Sequence, residues 1–73
     1  MSKDDIRFFQ RLGDRIRERR HARDLTQQQF ADRCDLHRTF IGSVERGERN
    51  LSLINLRRIA HALKVTPAEL LAE

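Results

Sequence analysis

Residues 38–46 combine apolar and polar side chains at a spacing that would place them on opposite faces of one helix. Ile41 and Val44 are apolar and three positions apart, so a helix would place them on one face. The opposite face then carries only polar or small residues, which are Arg38, Thr39, Gly42, Ser43 and Arg46. Arginine and short polar side chains are the groups that hydrogen-bond base edges in the major groove. The pattern therefore predicts a recognition helix at about 37–45.

A shorter helix is expected just before this one, at a fixed angle to it. Residues 27–33 are followed by three or four turn residues, and Ala31 is small enough to let two helices approach closely. Cys34 and Leu36 supply apolar side chains at the turn. This spacing is typical of a helix-turn-helix, in which the second helix enters the major groove. The sequence thus predicts that motif at about 27–46.

The rest of the chain is predicted to be helical as well. Capping boxes, in which a Ser or Thr precedes an acid or amide by three positions, occur at Ser2, Thr26 and Thr66. The first helix repeats its apolar residues four apart, at Phe8, Leu12 and Ile16. Ser52 caps a further helix with an apolar repeat of Leu53, Leu56, Ile59, Ala60 and Leu63. The expected fold class is all-α, a compact five-helix bundle with helices at about 3–22, 26–33, 37–45, 52–63 and 67–72.

Length and composition limit the possible functions. The chain has 73 residues and a net charge of +4, which favours an anionic partner such as nucleic acid. We expect a single domain spanning 1–73, because an ordinary domain contains about 100–200 residues. No apolar run approaches the ~20 residues of a membrane helix, and the N-terminus lacks the apolar segment of a secretion signal. A cytoplasmic protein without membrane contact is therefore expected.

The spacing of chemically active residues does not resemble an active site or a metal site. Cys34 is the only cysteine, so it forms no intramolecular disulfide, and no residue is spaced to serve it as a catalytic base. His21, His37 and His61 do not form a metal-ligand spacing with it. We therefore expect a small core residue at Cys34, and no enzyme activity, cofactor or bound metal.

A resemblance to the Xre/Cro helix-turn-helix family, which has the lambda-repressor-like fold, is carried by the stretch LTQQQFADRCDLHRTFIGSVERGERNLSLINLRRIAHALKV. Particular similarity to the controller proteins of restriction–modification systems is found in the segment HRTFIGSVERGERNLSLINL. The resemblance covers residues from about 12 to 72. It implies a dimeric, sequence-specific transcription regulator that binds double-stranded DNA and is associated with the bacterial nucleoid when bound.

The resemblance also implies roles for individual residues. Groove-facing positions, which read bases, are matched by Arg38, Thr39, Gly42 and Ser43. Positions that hold DNA phosphates are matched by Gln27, Arg46, Arg49 and Asn50. A salt bridge between the first and third helices of the family is matched by Arg20 and Glu45. Arg38 is the foremost candidate for a base contact, because its guanidinium fork fits guanine.

Two positions depart from the family pattern. Asp35 stands in the turn where glycine is usual, and Asp tolerates a left-handed conformation better than most residues do. His37 stands at the cap of the recognition helix, where the controller proteins commonly carry Asp. A neutral His is a poorer acceptor, so the geometry of this cap stays open. Gly47 is expected to end the recognition helix in a left-handed conformation.

A homodimer is expected, because one recognition helix reads only a few base pairs and a palindromic operator matches a two-fold axis. Its interface is assigned to the fourth and fifth helices, through Leu51, Ile54, Val65, Leu70 and Leu71. The residues predicted to lie near the axis are Ile54, Val65 and Leu70. RNA polymerase is considered as a further partner. No small-molecule ligand is expected, since the chain has no room for a sensing domain.

Several alternatives stay open. A stand-alone Xre regulator, or an antitoxin that binds a toxin protein as well as DNA, would share much of VERGERNLSL. A helical protein–protein adaptor would use the motif as a scaffold and would show no salt-dependent DNA binding. Phe40 would either cover the core or face a thymine methyl group or a sugar, and Gly42 would allow either close approach to DNA or clearance between helices.

Overall fold

Five α-helices form the computed structural model, which describes residues 1–72. They are α1 (Lys3–Ala22), α2 (Gln27–Cys34), α3 (Arg38–Glu45), α4 (Leu53–Leu63) and α5 (Pro67–Leu71). The described residues contain no strand, so the predicted all-α class is confirmed, and each predicted boundary lies within one residue of the observed one. Within the same residues, no helix is both long enough and apolar enough to cross a membrane.

Short polar side chains determine where the helices begin. Ser2, Thr26 and Thr66 each form the predicted capping box. In this arrangement, the cap residue and the residue three positions later each accept the other's backbone N–H with a side-chain oxygen. At α4, the hydroxyl of Ser52 accepts a hydrogen bond from the backbone N–H of Asn55 at 3.1 Å. These acceptors satisfy backbone donors that have no partner within their own helix.

Each of the first four helices is followed by a residue with left-handed backbone. The φ angles are 55° at Asp24, 57° at Asp35, 57° at Lys64 and 76° at Gly47. Asp35 is the C-cap of α2, and Gly47 follows the last residues of α3, so both predictions of left-handed geometry are confirmed. Asp adopts this conformation more readily than bulkier residues, and the turn therefore forms without glycine.

Every helix contributes to one apolar core. The large side chains with the least exposure are Phe30, Ile16, Ile41, Ile59, Leu63 and Leu70. α2 packs against α3 and α4, while α1 packs against α3, α4 and α5. Because Ile41 is part of this core, α3 is held along its inner side, while Arg38 and Thr39 in its first turn are exposed.

α1 and α3 approach each other very closely at Gly13. A Cβ atom at this position would lie 2.5 Å from the carbonyl oxygen of Val44 and 2.7 Å from that of Glu45. Backbone would have to move to admit a side chain, since atoms do not approach so closely without bonding. Gly13 therefore fixes where the C-terminal end of α3 lies against the middle of α1.

Two leucines lie in positions that their sequence patterns do not indicate. Leu53 belongs to the apolar repeat of α4, but it is 84% exposed. It is the first residue of α4, and helical side chains tilt toward the N-terminus, so it projects past the end of the bundle. Leu70, predicted to lie near a two-fold axis, is 0% exposed. The prediction is wrong because α5 packs against both α1 and α4, which turns Leu70 into the core of a single chain.

Candidate nucleic-acid interface

α2 and α3 form the predicted helix-turn-helix. Ala31 is fully buried at the corner, and its carbonyl accepts a hydrogen bond from the backbone N–H of Leu36 at 3.0 Å. Cys34 is buried in the core, and Leu36 packs against that core. A small residue at the corner and apolar residues in the turn thus hold the two helices together, as the spacing predicts.

His37 caps the start of α3. Its Nδ1 accepts a hydrogen bond from the backbone N–H of Thr39 at 3.0 Å. The imidazole nitrogen thereby takes the place of the carboxylate oxygen that Asp would supply. Accepting this bond requires a lone pair on Nδ1, so the neutral ring carries its proton on Nε2.

Arg38 and Thr39 form the first turn of α3, and both are exposed. Among residues 1–72, neither side chain takes part in a hydrogen bond or an ion pair within the chain. Their donors and acceptors are therefore available to an external partner, in the direction that the sequence predicts.

Gly42 and Ser43 are not exposed, which corrects the prediction that they lie on an open face. Ser43 is 8% exposed, and Gly42 is buried. A Cβ atom on Gly42 would lie 3.2 Å from Nη1 of Arg46 and 3.9 Å from Oε1 of Gln27. Side chains from α2 and from the end of α3 thus cover this face. The periodicity of α3 cannot reveal them, because it describes only the direction in which each residue of α3 points.

Arg49, in the loop between α3 and α4, folds back over α3. Its Nε donates a hydrogen bond to Oγ of Ser43 at 3.3 Å, and its Cζ lies 5.2 Å from the centroid of the Phe40 ring. The hydroxyl of Ser43 donates in turn to the carbonyl of Phe40 at 2.7 Å. Phe40 is half-buried and packs against the core, which favours the first of its two predicted roles.

Glu45 lies at the centre of a buried hydrogen-bond network. Its carboxylate accepts Nε of Arg20 at 2.7 Å and Nη2 of Arg20 at 3.0 Å, which confirms the predicted salt bridge. The remaining nitrogen of Arg20, Nη1, donates to the carbonyl of Leu25 at 2.9 Å. Gln27 also donates from Nε2 to the same carboxylate at 3.1 Å. The amide that the resemblance assigns to a phosphate is therefore turned partly inward in the free protein.

Arg46 and Asn50, the other predicted phosphate contacts, are exposed. Nε of Arg46 donates to Glu48 at 3.1 Å, and both side chains are 58% exposed. An ion pair so open to water contributes little to stability, and Glu48 is easily replaced by another anion.

The loop between α3 and α4 contacts α1 closely at Gly47, where a Cβ atom would lie 2.7 Å from Cα of Gln10.

Cys34 is a core residue, as predicted. Burial raises the pKa of its thiol from 9.0 to about 12, so the thiol stays protonated at neutral pH and is a poor nucleophile. No group of three or more His, Cys, Asp or Glu side chains in residues 1–72 is placed to hold a metal ion.

Residues 16–70, from the middle of α1 through α5, match the family model described as Helix-turn-helix. The chain belongs to this helix-turn-helix family. By family it is a DNA-binding transcription regulator, in agreement with the exposed first turn of α3. The resemblance drawn from the sequence is thereby confirmed.

The relatives of the chain include controller proteins. C.BamHI, a control protein of Bacillus amyloliquefaciens, is 45% identical over 61 residues, which cover 82% of this chain and 75% of C.BamHI. The control protein C.MunI of Mycoplasma sp is 41% identical over 64 residues, or 86% of each chain. The chain also resembles the crystal structure of the restriction–modification controller protein C.AhdI from Aeromonas hydrophila, with a TM-score of 0.83 and 44% sequence identity. The match covers 85% of this chain and 94% of the C.AhdI chain. These relatives are regulators rather than enzymes.

Proposed function

We propose that this chain controls a restriction–modification system by binding a palindromic DNA site and regulating transcription there. One observation carries the proposal: the first turn of α3 holds Arg38 and Thr39 in solvent while Ile41 anchors the same helix in the core. A rigid helix with its N-terminal residues exposed is the geometry that reads the major groove. The similarity to C.BamHI, C.MunI and C.AhdI supports the assignment to restriction–modification control.

Base reading is assigned to Arg38 and Thr39. The guanidinium of Arg38 can donate two parallel hydrogen bonds to O6 and N7 of guanine, which discriminates against other bases by about 1–3 kcal/mol. Thr39 offers a hydroxyl for base edges and a methyl group for contact with thymine. Gly42 and Ser43 are left out of this set, because neighbouring side chains cover them.

Phosphate binding is assigned to Arg46, Arg49 and Asn50, which follow α3 along the chain, together with Gln27 at the start of α2. Arg46 would exchange its exposed ion pair with Glu48 for a phosphate. Gln27 keeps one amide hydrogen beyond the one that it donates to Glu45, so it can serve the network and a phosphate together. Such contacts fix the position of the protein on the duplex without reading its sequence.

A second copy of the chain is proposed to cover the apolar surface of α4 and α5. Leu53, Ile54 and Leu71 are 84%, 57% and 38% exposed, and Leu51 and Val65 are half-buried beside the core. Single apolar side chains on a surface are ordinary, but several together mark an interface. A two-fold axis there would place the two recognition helices ~34 Å apart, one turn of DNA.

The chain is proposed to act by binding and not by catalysis, in the bacterial cytoplasm where DNA is accessible to it. An activating regulator also contacts RNA polymerase, and we assign that contact to the exposed carboxylates of Asp32 and Asp35. Asp32 lies in the last turn of α2, and Asp35 is the C-cap of that helix, three positions before Arg38.

The test is a selection of bound duplexes from a random-sequence pool, followed by anisotropy titrations of the selected duplex and of a scrambled one. A dyad-symmetric consensus is expected. The affinity for the scrambled duplex is expected to be lower by a factor of at least about a thousand. Binding to both is expected to weaken as salt rises, because phosphate contacts release counterions. A pool that yields no consensus, or capture of a toxin protein without DNA binding, would contradict the proposal.

A further inference from the structure

Ser43 is buried by a part of the chain other than the core. At 3.6 residues per turn, it points about 130° away from the mean direction of Ile41 and Val44. Its side chain therefore leaves α3 on the outward side, yet Ser43 is only 8% exposed. Arg49 lies over it, with Nε at 3.3 Å from Oγ.

The hydroxyl of Ser43 links two groups in one direction. It donates to the carbonyl of Phe40 at 2.7 Å, which fixes its hydrogen and leaves its lone pairs for a donor. Nε of Arg49 fills that role. A hydroxyl whose hydrogen is already engaged is a stronger and better-directed acceptor than one that rotates freely, since neighbouring hydrogen bonds polarise each other.

The ring of Phe40 supports the same guanidinium. Cζ of Arg49 lies 5.2 Å from the ring centroid, within the range of a cation–π contact. Phe40 packs against the core, so it provides a support that does not move with the loop. Two contacts thus define where the guanidinium of Arg49 lies: the hydrogen bond from its Nε to Ser43 and the cation–π contact with the ring of Phe40.

We propose that Ser43 is a positioning residue, which does not contact DNA itself but holds Arg49 on the outward side of α3 in the free protein. The inference rests on the proposed DNA-binding function. With Nε engaged, Arg49 presents its two Nη nitrogens to the duplex. Arginine otherwise loses much rotamer freedom when it binds, and a side chain that is already ordered loses less.

Binding is measured with the duplex that the wild-type protein selects from a random pool. Ser43→Ala removes the acceptor and is expected to lower affinity by about three- to tenfold, the range of a typical net hydrogen bond. In an Arg49→Ala background the same change is expected to have almost no effect, because nothing remains to be positioned. Ser43→Thr keeps the hydroxyl and is expected to restore most of the affinity.

The positioning itself is measured without DNA, by NMR of the Nε–H group of Arg49. A shift by the Phe40 ring current and slow exchange with water are expected in the wild type, and both are expected to diminish in Ser43→Ala. Ser2→Ala serves as the matched control, because Ser2 caps α1 and makes no contact with Arg49. Its Arg49 signal is expected to match that of the wild type.

Three results would overturn the inference: unchanged affinity in Ser43→Ala, an equal loss with and without Arg49, or an Arg49 signal that Ser43→Ala leaves unchanged. An equal loss in both backgrounds would mean that Ser43 contacts DNA directly. Failure of the wild type to bind any duplex would overturn the proposed function instead. The NMR comparison would then still decide whether Ser43 orders Arg49.

Discussion

Arg20 and Glu45 form a two-pronged ion pair inside the protein, with N–O distances of 2.7 and 3.0 Å. The two side chains are only 8% and 1% exposed. Withdrawal of two charges from water offsets most of their attraction, so the pair orients α3 against α1 more than it adds net stability. Loss of one partner, however, leaves the other charge buried without its counter-ion.

Glu45→Gln is therefore expected to lower the free energy of unfolding by about 3–5 kcal/mol, because Arg20 keeps its charge and loses its partner. Urea unfolding monitored by circular dichroism measures the effect. Asp14→Asn is the control, since Asp14 pairs with Arg17 at the surface, where the side chains are 55% and 42% exposed. That change is expected to cost at most about 0.5 kcal/mol. Equal losses in the two variants would contradict the buried pair.

Gly13→Ala is expected to destabilise the protein by about 1–3 kcal/mol, although Ala favours a helix over Gly by about 1 kcal/mol. The added methyl group would lie 2.5 Å from a backbone oxygen of α3, and backbone cannot yield as a side chain does. The urea midpoint measures this change.

Gly42→Ala serves as the comparison for Gly13→Ala, because both substitutions add one methyl group to a helical glycine. There the nearest atom to the new methyl group would be Nη1 of Arg46 at 3.2 Å, the far end of a flexible side chain. Stability is expected to stay equal or to rise by up to about 1 kcal/mol. A destabilisation as large as that of Gly13→Ala would contradict this expectation, because it would mean that Gly42 is packed as closely as Gly13.

Arg38→Ala is expected to weaken binding to the selected duplex by about 1–3 kcal/mol and to flatten the preference at one base pair per half-site. Arg46→Ala is expected to weaken all duplexes alike and to reduce the salt slope by about 1. Anisotropy titrations at several salt concentrations, on the selected and scrambled duplexes, separate the two effects. A uniform loss in both variants would contradict the assignment of base reading to Arg38.

Ile54→Asp is expected to convert the proposed dimer into a monomer at tens of micromolar, because a carboxylate would be buried without a partner at the interface. Ile54 is 57% exposed in the single chain, so the monomer is expected to fold. Sedimentation velocity measures the mass. Ile6→Asp, at an apolar position of α1 that is 40% exposed, is expected to leave the mass unchanged. A wild-type monomer would rule out the dimer altogether.

The stability of the protein is expected to fall as pH rises above about 9. Burial raises the pKa of the Cys34 thiol from 9.0 to about 12, so the folded state keeps a proton that the unfolded state releases. The contribution is thus fully present below pH 9.0 and is lost as pH rises toward about 12. Urea unfolding at about pH 8 and about pH 10.5 tests the direction. Cys34→Ala lacks the thiol and is expected to lose less stability over the same range.

Much of the fold could be predicted because its signals are local. A Ser or Thr three positions before an acid or amide shows where a helix starts, and Ser2, Thr26 and Thr66 all do so. The apolar repeat of α1 holds at Leu12 and Ile16, which are buried. Leu53 belongs to a similar repeat in α4 and is nevertheless exposed. Periodicity gives the direction of a side chain around the helix axis and cannot show where the bundle ends.

The site was harder to predict, since its burial comes from contacts between elements. The direction of Ser43 on α3 is as expected, but Arg49 reaches it from a loop that follows no period. Gln27 likewise bends toward Glu45, which lies 18 positions further along the chain. A helical repeat relates residues of one helix only, whereas these contacts depend on how two elements meet.

The freedom of Arg38 and Thr39 from internal contacts has a consequence for evolution. Both side chains can be exchanged without loss of core packing or of the Glu45 network. Under the proposed assignment of base reading, a descendant could acquire a new operator by substitution at these two positions alone. Ser43 and Gly42 lie on the same helix beneath other side chains, and exchanges there would disturb their neighbours. Diversification of target sequence within such regulators should therefore concentrate in the first turn of α3.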